Sequence, residues 1–484
     1  MSGETSMEQL LSPYLVALFW ISVLMPIGIF LRFKIAIFQR YLVPSSLITG
    51  LLGLVMMNLG LVGYPSPGGW VQIEHHVFAM LVTLIFTANF ILIGINAGKP
   101  AESSNKSQEI RRGVAWLSIT FVGGYGLLIM CGIPIIWIYN TLTSSALEPA
   151  SSINLVQGFV GGPAQALTVS QIWVDNAART DIQHLWNISP DVLVMAVSYG
   201  AAGFLVAAFV GVSLANYGVR KSVATYTSAS MLDTAFRKGI LPKDTNQAIG
   251  RHTLHPANMD TITFHMALLG IAFFFTWIFC YCLKQVLPTD ISGIAFGMMF
   301  MWGMFCAIVV RKIVVATGNN HLVDEQIVNR LNGVCVDYMM VAALMGVELA
   351  VLGKYLVPFL LSVVLGTWLL FVWFWKTSRW LEHNGLERFL VNFAACTGTL
   401  ASSILLMRIV DPEGKSTVLA EVGFSQFAMM VPVMPLAVFL IPALGVKTTI
   451  SMVLYAGILI FAVCLVLMLV LKKRGYWQEF VRYR

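Results

Sequence analysis

The sequence predicts an all-α polytopic membrane protein that contains two inverted repeats. Of its 484 residues, 58% are hydrophobic and only 11% are charged, whereas a soluble domain carries about 25% charged residues. Two short glycine-bearing segments, 158–163 and 396–399, interrupt the apolar pattern at corresponding places of the two halves. A broken helix in hydrocarbon leaves costly unpaired backbone groups. Paired breaks of this kind are therefore typical of secondary transporters.

Eleven segments are long and apolar enough to cross a membrane, since a spanning helix needs about 20 such residues. In order, these spans are 11–31, 45–63, 76–96, 113–139, 191–216, 261–283, 290–311, 333–352, 355–376, 422–443 and 448–471. The segments near 150–175 and 388–410 are set aside as re-entrant hairpins. The first ten residues contain no Lys or Arg, so the first helix is not predicted to be a cleaved signal peptide.

The distribution of Lys and Arg sets the orientation, because short basic loops are retained in the cytoplasm. Basic residues follow every odd-numbered span, whereas 63–74 contains none and 140–190 contains only Arg179. The N-terminus is therefore expected outside and the C-terminus inside. Counting either hairpin as a full span would place every later basic loop outside. The first hairpin is thus expected to enter from outside and the second from inside.

Each half then contains five spans and one hairpin in opposite orientation, which is an inverted-topology repeat. The predicted domains are a first repeat over 1–216, a basic cytoplasmic linker over 217–260, a second repeat over 261–443, and an extra span with a basic tail over 444–484. Apolar runs leave no room for a soluble domain of about 100 residues.

Several function classes are disfavoured. The net charge of +7 is explained by basic cytoplasmic loops, so a nucleic-acid partner is not expected. The seven cysteines lack CxxC spacing, and Cys280 and Cys282 point to different faces of one helix, which makes them a poor metal pair. Neither an HExxH motif nor a Walker loop occurs. We therefore expect neither an enzyme nor an ATP-driven pump, and no cofactor.

A collinear set of short motifs covers about 40–440. They are Tyr41-Leu-Val-Pro44, Ile93-Gly-Ile-Asn-Ala97, Gly161-Gly162, the stretch Gly203 to Tyr217, Ala343-Leu-Met-Gly346, the small residues around Gly398, and Val431-Pro-Val-Met434. In this order, and with this topology, the chain resembles the bacterial sodium/glutamate symporter family.

The resemblance implies a multi-pass protein of the bacterial inner membrane, whose two hairpins form a site for an anionic amino acid and for Na⁺ as the coupling ion. It also implies a homodimer in lipid, in which a transport domain moves against a scaffold. The sequence departs from the family at Gly162-Pro-Ala-Gln165, where the glutamate carriers have a His-Gly-Thr type sequence. The second hairpin is also poorer in glycine, and the span 448–471 is additional.

The chemistry of a broken hairpin suits these ligands. The first arm ends in free carbonyl groups, which suit Na⁺, and the second begins with free N–H groups, which suit a carboxylate. The predicted substrate-binding residues are Gly161, Gly162, Gln165, Thr397, Gly398, Thr399 and Ser402. The alternative is that these small residues only allow close helix packing, as they often do in membranes.

The predicted sodium-binding residues are Asn89, Asn96, Gly162, Asp337 and Thr397. An intramembrane acid such as Asp337 indicates a functional site by default, with Na⁺ or a proton as its ligand. The alternative for Asp337 is an interfacial, solvated acid, and for the two asparagines it is a helix–helix hydrogen bond.

Arg408 is expected to pair with Asp411 or Glu413, or to extend to the interface, rather than to clamp a substrate carboxylate. The function expected from the whole sequence is sodium-coupled symport of glutamate or a related carboxylate. The alternatives are a proton-coupled carrier of another organic anion and a channel-like membrane protein.

Overall fold

The computed structural model is chiefly helical. It describes residues 13–66, 69–97, 107–178, 188–221, 223–225, 238–240, 250–255, 257–287, 292–381, 383–411, 415–445 and 448–477. Most of the predicted linker 217–260 lies outside these residues.

Where the first half is described, it contains nine α-helices and two strands. They are α1 Pro13–Lys34, α2 Ala36–Arg40, α3 Ser45–Asn58, β1 Gly63–Ser66, β2 Gly69–Gln72, α4 His75–Ala97, α5 Ser107–Thr143, α6 Asn154–Val160, α7 Gly162–Ala177, α8 Asp191–Val206 and α9 Val212–Arg220. A 3-10 turn, Pro149–Ile153, precedes α6, and a π-helical segment, Ala207–Gly211, joins α8 to α9.

The second half contains nine further α-helices in the described residues. They are α10 Thr261–Val286, α11 Gly293–Gly297, α12 Met299–Ala316, α13 Glu325–Met345, α14 Leu349–Lys354, α15 Leu356–Ser378, α16 Gly385–Val410, α17 Val418–Met434 and α18 Ile450–Lys473. A π-helical segment, Pro435–Leu440, follows α17.

Among the described residues, nine helical segments are long and apolar enough to cross a membrane. This confirms a helical, multi-pass membrane protein, whereas the count of eleven spans stays a prediction. The predicted spans 45–63 and 422–443 are not among the nine. The first of them corresponds to α3, whose 14 residues extend about 21 Å, less than the hydrocarbon thickness of about 30 Å.

The reason why α3 ends early is local. Gly60 adopts φ +74°, and the Leu61 N–H donates to the Met56 carbonyl oxygen, which is the pattern of a Schellman helix end. Beyond it, β1 and β2 form an antiparallel hairpin in which Gly63 pairs with Gln72. The segment 63–74, expected to be a simple loop of an all-α protein, thus contains a small sheet.

The eighth predicted span, 333–352, is also shifted. Its helix, α13, begins at Glu325, because the Asp324 carboxylate caps it by accepting the Ile327 N–H at 3.0 Å. It ends at Met345, and the separate short helix α14 follows.

Contacts divide the chain into two compact units that cut across the predicted repeats. Unit 1 contains 1–28, 49–103 and 240–346, and unit 2 contains 29–48, 104–239 and 347–484. Each unit thus takes segments from both halves. The repeat boundaries themselves stay a prediction.

Unit 1 has its core between α4, α10, α12 and α13. The cluster contains Ile91, Leu92, Ile95, Leu268, Ala272, Ala307, Val310, Val323 and Val328. Helices α4 and α12 approach closely at Gly94, where a Cβ would lie 2.5 Å from the Met304 carbonyl oxygen.

Unit 2 contains both predicted hairpins. In the first, α6 and α7 run back along each other, because the side chains of Asn154 and Ser170 exchange hydrogen bonds of 3.0 and 3.1 Å. Sixteen residues of straight helix would separate them by about 24 Å. The Asn154 amide also donates to the Val192 carbonyl oxygen of α8 at 3.1 Å.

The second hairpin is α16. It is helical from Gly385 to Val410, so no non-helical residue separates its arms. It nevertheless reverses direction, because the Ser403 hydroxyl donates to the Val391 carbonyl oxygen at 2.8 Å, whereas twelve residues of straight helix span about 18 Å. In each hairpin, a serine of the second arm thus bonds to the first arm.

We expect Ser403→Ala to lower the free energy of unfolding by about 1 kcal/mol, because it removes a buried hydrogen bond between the two arms. Denaturant unfolding of the purified protein in detergent measures this change. Ser213→Ala is the matched control, since the exposed Ser213 hydroxyl bonds only to the Phe209 carbonyl oxygen of its own helix. Equal stability of the two variants would argue against the interarm bond.

Candidate functional site

The tip of the first hairpin is a tight turn between α6 and α7. Gly161 closes α6 by donating its N–H to the Gln157 carbonyl oxygen. Gly162 adopts φ +80°, a left-handed conformation that favours glycine. Pro163 follows in the first turn of α7, where its missing N–H costs nothing. The glycine pair predicted from the sequence therefore forms the turn.

A chain of buried amides supports this tip. The Gln165 amide donates to Gln157 Oε1 at 2.7 Å, and the Gln157 amide donates to the Tyr125 hydroxyl of α5 at 3.1 Å. A Cβ at Gly161 would overlap Gln165 Oε1. Gln165, a predicted substrate ligand, thus folds over the turn. Gln157 and Tyr125 were not predicted from the sequence, because their contact is seen only in the fold.

The tip of the second hairpin carries three of the other predicted ligands. The Thr397 hydroxyl donates to the Phe393 carbonyl oxygen at 2.8 Å, and the Ser402 hydroxyl donates to the Gly398 carbonyl oxygen at 2.6 Å. Both protons are thus used within the hairpin, while the hydroxyl oxygens keep lone pairs for a cation or donor. The side chain of Thr399 lies outside the described residues.

Both tips pack against one stretch of α8. At the first tip, a Cβ on Gly200 would lie 2.5 Å from the Cα of Pro163. At the second, a Cβ on Gly203 would overlap the Thr397 carbonyl oxygen and lie 3.3 Å from Phe159. Gly203 therefore contacts both hairpins.

The contact continues into the π-helical segment that follows α8. A Cβ on Gly398 would lie 2.6 Å from the Cβ of Ala207, which begins this segment. The stretch from Gly200 to Ala207 is only about 10 Å long. The structure thus brings predicted ligands of both hairpin tips to one region of unit 2. They are Gly161, Gly162 and Gln165 of the first tip and Thr397 and Gly398 of the second.

The sodium ligands predicted on α4 and α13 lie in unit 1. Asn89 donates to the Asn332 side chain, and Asn96 donates to the Asn329 side chain at 2.8 Å. Both amides therefore join helices, which is the alternative role considered for them. Asp337, on α13, is exposed. The predicted sodium set is thus divided between the two units, and its role as a set stays a prediction.

The base of the second hairpin contains a buried ion pair that the sequence did not reveal. Arg388, 3% exposed, binds Glu421 of α17, 0% exposed, through Nε and Nη2 at 2.7 Å each. Such a bidentate pair is geometrically specific. Asp411 accepts the backbone N–H groups of Lys415 and Ser416. The side chain of Arg408, its predicted partner, lies outside the described residues.

A cavity of about 420 Å³ lies beside the approach to the first hairpin, lined by Glu148, Asp191, Lys354 and Tyr355 among others. Lys354 pairs with Asp191 at 3.1 Å. Burial raises the pKa of the Glu148 carboxyl above its ordinary value, although the Ala150 N–H that it accepts acts in the opposite direction. The recess of unit 2 on this side is therefore lined by charged and polar groups.

In the described part of the chain, no group of three or more His, Cys, Asp or Glu side chains is arranged to hold a metal ion. The side-chain polar groups described at the hairpin tips are the Gln165 amide and the hydroxyl groups of Thr397 and Ser402.

Comparison of the chain with models of known protein families, with curated proteins and with solved structures found no match.

We expect Gly203→Ala to destabilise the protein by about 1–3 kcal/mol, because the added methyl group overpacks the contact with both hairpins. Melting of the purified protein measures the change. Gly270→Ala is the matched control, since nothing lies within 4 Å of its Cβ position. A Gly203→Ala variant as stable as this control would show that the tips do not pack against α8.

Proposed function

We propose that the protein is a sodium-coupled secondary active transporter, a symporter, of a small anionic solute such as glutamate or a related carboxylate. The observation that carries this proposal is the meeting of two helical hairpins on the stretch Gly200 to Ala207 of one helix.

The chemistry of the tips supports an anion together with a cation. At the start of α7, backbone N–H groups and the positive end of a 16-residue helix favour a carboxylate. Hydroxyl oxygens of Thr397 and Ser402, which keep free lone pairs, favour Na⁺. Gln165 adds an amide at the same turn.

The organisation of the units supports alternating access through inverted repeats. Each unit takes corresponding parts of the two halves, and π-helical segments occur in both the fifth and the tenth predicted spans. We assign unit 2, which holds both hairpins, to the transport domain and unit 1 to the scaffold. Eleven spans, an external N-terminus, a homodimer and a bacterial inner membrane complete this proposal.

A proton-coupled carrier of another organic anion is the second candidate. It is favoured by one observation, the buried carboxyl group of Glu387 at the base of the second hairpin.

Uptake into proteoliposomes tests the main proposal. We expect an inward Na⁺ gradient of tenfold, at zero membrane potential, to drive accumulation of labelled glutamate or another small carboxylate by about tenfold for each coupled Na⁺. Equal uptake with and without the Na⁺ gradient would exclude sodium coupling. Flux that rises linearly with substrate and does not saturate would instead indicate a channel.

We expect Gly162→Val and Gly398→Val each to abolish transport while the protein still inserts. At Gly162, a side chain is strained by the left-handed backbone, and at Gly398 it meets Ala207. Uptake normalised to the amount of inserted protein measures the effect, with Gly270→Val as the control at an open helix surface. Near-normal uptake by both tip variants would refute a site at the hairpins.

A further inference from the structure

Glu387 is a buried acid that the site at the hairpin tips does not use. It lies in the first turn of α16, outside the candidate membrane-spanning helices, and its side chain is 0% exposed. Its Oε1 accepts the Thr225 N–H at 2.7 Å. Its Oε2 is buried without a hydrogen-bond partner among the described residues.

The adjacent guanidinium does not neutralise this group by direct pairing. Arg388 donates from Nε and Nη2 to Glu421 and from Nη1 to the His383 carbonyl oxygen. Glu109 of α5 is a second acid beside it, with Oε1 3.8 Å from Nη2. Three carboxyl groups, those of Glu387, Glu421 and Glu109, therefore lie near one guanidinium, while Asp411 at the end of the second arm accepts the Lys415 and Ser416 N–H groups.

The other cations near this base are exposed or half-buried. The elements packed against the first arm of α16 are α5, α9, α15 and α17 and the chain after α9. Besides Glu109 and Glu421, the charged groups of these elements near the base are cations. Arg112 is half-buried, and the others are exposed: Arg111, Arg220, Lys221, Lys376 and Arg379. Thr225 faces Glu387 with its N–H and hydroxyl groups. No second buried cation balances the cluster in the described part of the chain.

An ionised carboxylate with one buried, unpaired oxygen is costly, and such a group usually takes up a proton instead. Burial is the largest influence on Glu387 and raises the pKa of its carboxyl, although the Thr225 N–H and the charge of Arg388 lower it. A proton on Oε2 also reduces the excess negative charge of the cluster.

We infer that Glu387 is a proton-binding site, which takes up a proton on Oε2 and exchanges it with water at the base of the hairpin during transport. Release leaves the carboxylate with one more negative charge, and uptake restores the neutral acid. The transport part of this inference rests on the proposed carrier function and adds a proton to its coupling ions.

Proton binding is tested without transport, using Glu387→Gln and, as a matched acid-to-amide control, Glu74→Gln at an exposed position of unit 1. A group whose pKa is raised by folding stabilises the fold below its unfolded pKa and loses this contribution as pH rises through the folded value. We expect the melting temperature of the wild type and of Glu74→Gln to fall over this range. The melting temperature of Glu387→Gln should not fall as pH rises over this range.

Infrared spectra provide a second readout of the same site. The wild type at neutral pH should show a protonated-carboxyl band that is absent from Glu387→Gln and present in Glu74→Gln. Identical bands and identical pH dependence of melting in all three proteins would overturn the inference. If Glu387→Gln does not fold, titration of the band in the wild type and in Glu387→Asp decides the point.

Transport assays distinguish proton coupling through Glu387 from the proposed carrier function. With no Na⁺ gradient and zero potential, an inward proton gradient of one pH unit should drive wild-type accumulation by about tenfold for one coupled proton. Glu387→Gln should lose this accumulation but keep substrate exchange. Sodium-driven uptake that is equal in both proteins and insensitive to pH would overturn proton coupling and leave the carrier proposal intact. No uptake by the wild type under either gradient would overturn the carrier proposal, while the infrared band still decides proton binding.

Discussion

The close approach of backbones at Gly200 and Gly203 is the constraint on which the rest of unit 2 depends. At these positions, α8 presents no side chain, and Pro163 and Thr397 of the two hairpins occupy the space that a Cβ would fill. Each hairpin tip rests on the surface of α8 that these glycines leave open. Two glycines one turn apart provide this surface for both. This contact places Pro163 of the first tip and Thr397 of the second on one face of α8.

Hydrogen bonds between the arms satisfy polar groups that are buried in apolar surroundings. Asn154 with Ser170, and Ser403 with the Val391 carbonyl group, satisfy buried polar atoms inside the hairpins themselves. In low dielectric, an unpaired polar group costs far more than in water. The arms are therefore held in one register, and polar groups near the tips, such as the hydroxyl oxygens of Thr397 and Ser402, keep capacity for a ligand.

Hydropathy predicted most of the long apolar helices, and the glycine pair Gly161 and Gly162 indicated the turn between α6 and α7, because these signals are local. Local geometry also limited the prediction: the apolar residues after Asn58 continue the hydropathy signal, yet the left-handed Gly60 ends the helix. The pair Arg388 and Glu421 and the pair Gln157 and Tyr125 join residues about thirty positions apart. A single sequence carries no sign of which distant partners will meet, so these pairs appeared only in the fold.

The π-helical segment Ala207–Gly211 changes which residues of this helix face the second hairpin. Eight residues of regular α-helix would leave Gly211 about 80° away from Gly203 around the axis, but one extra residue in a π turn reduces this to about 20°. The same shift brings Gly218 to within about 40°. All three glycines consequently face the second hairpin, at Thr397, Leu406 and Leu386. Without the bulge, the helix would support the hairpin's tip and turn away from its arms.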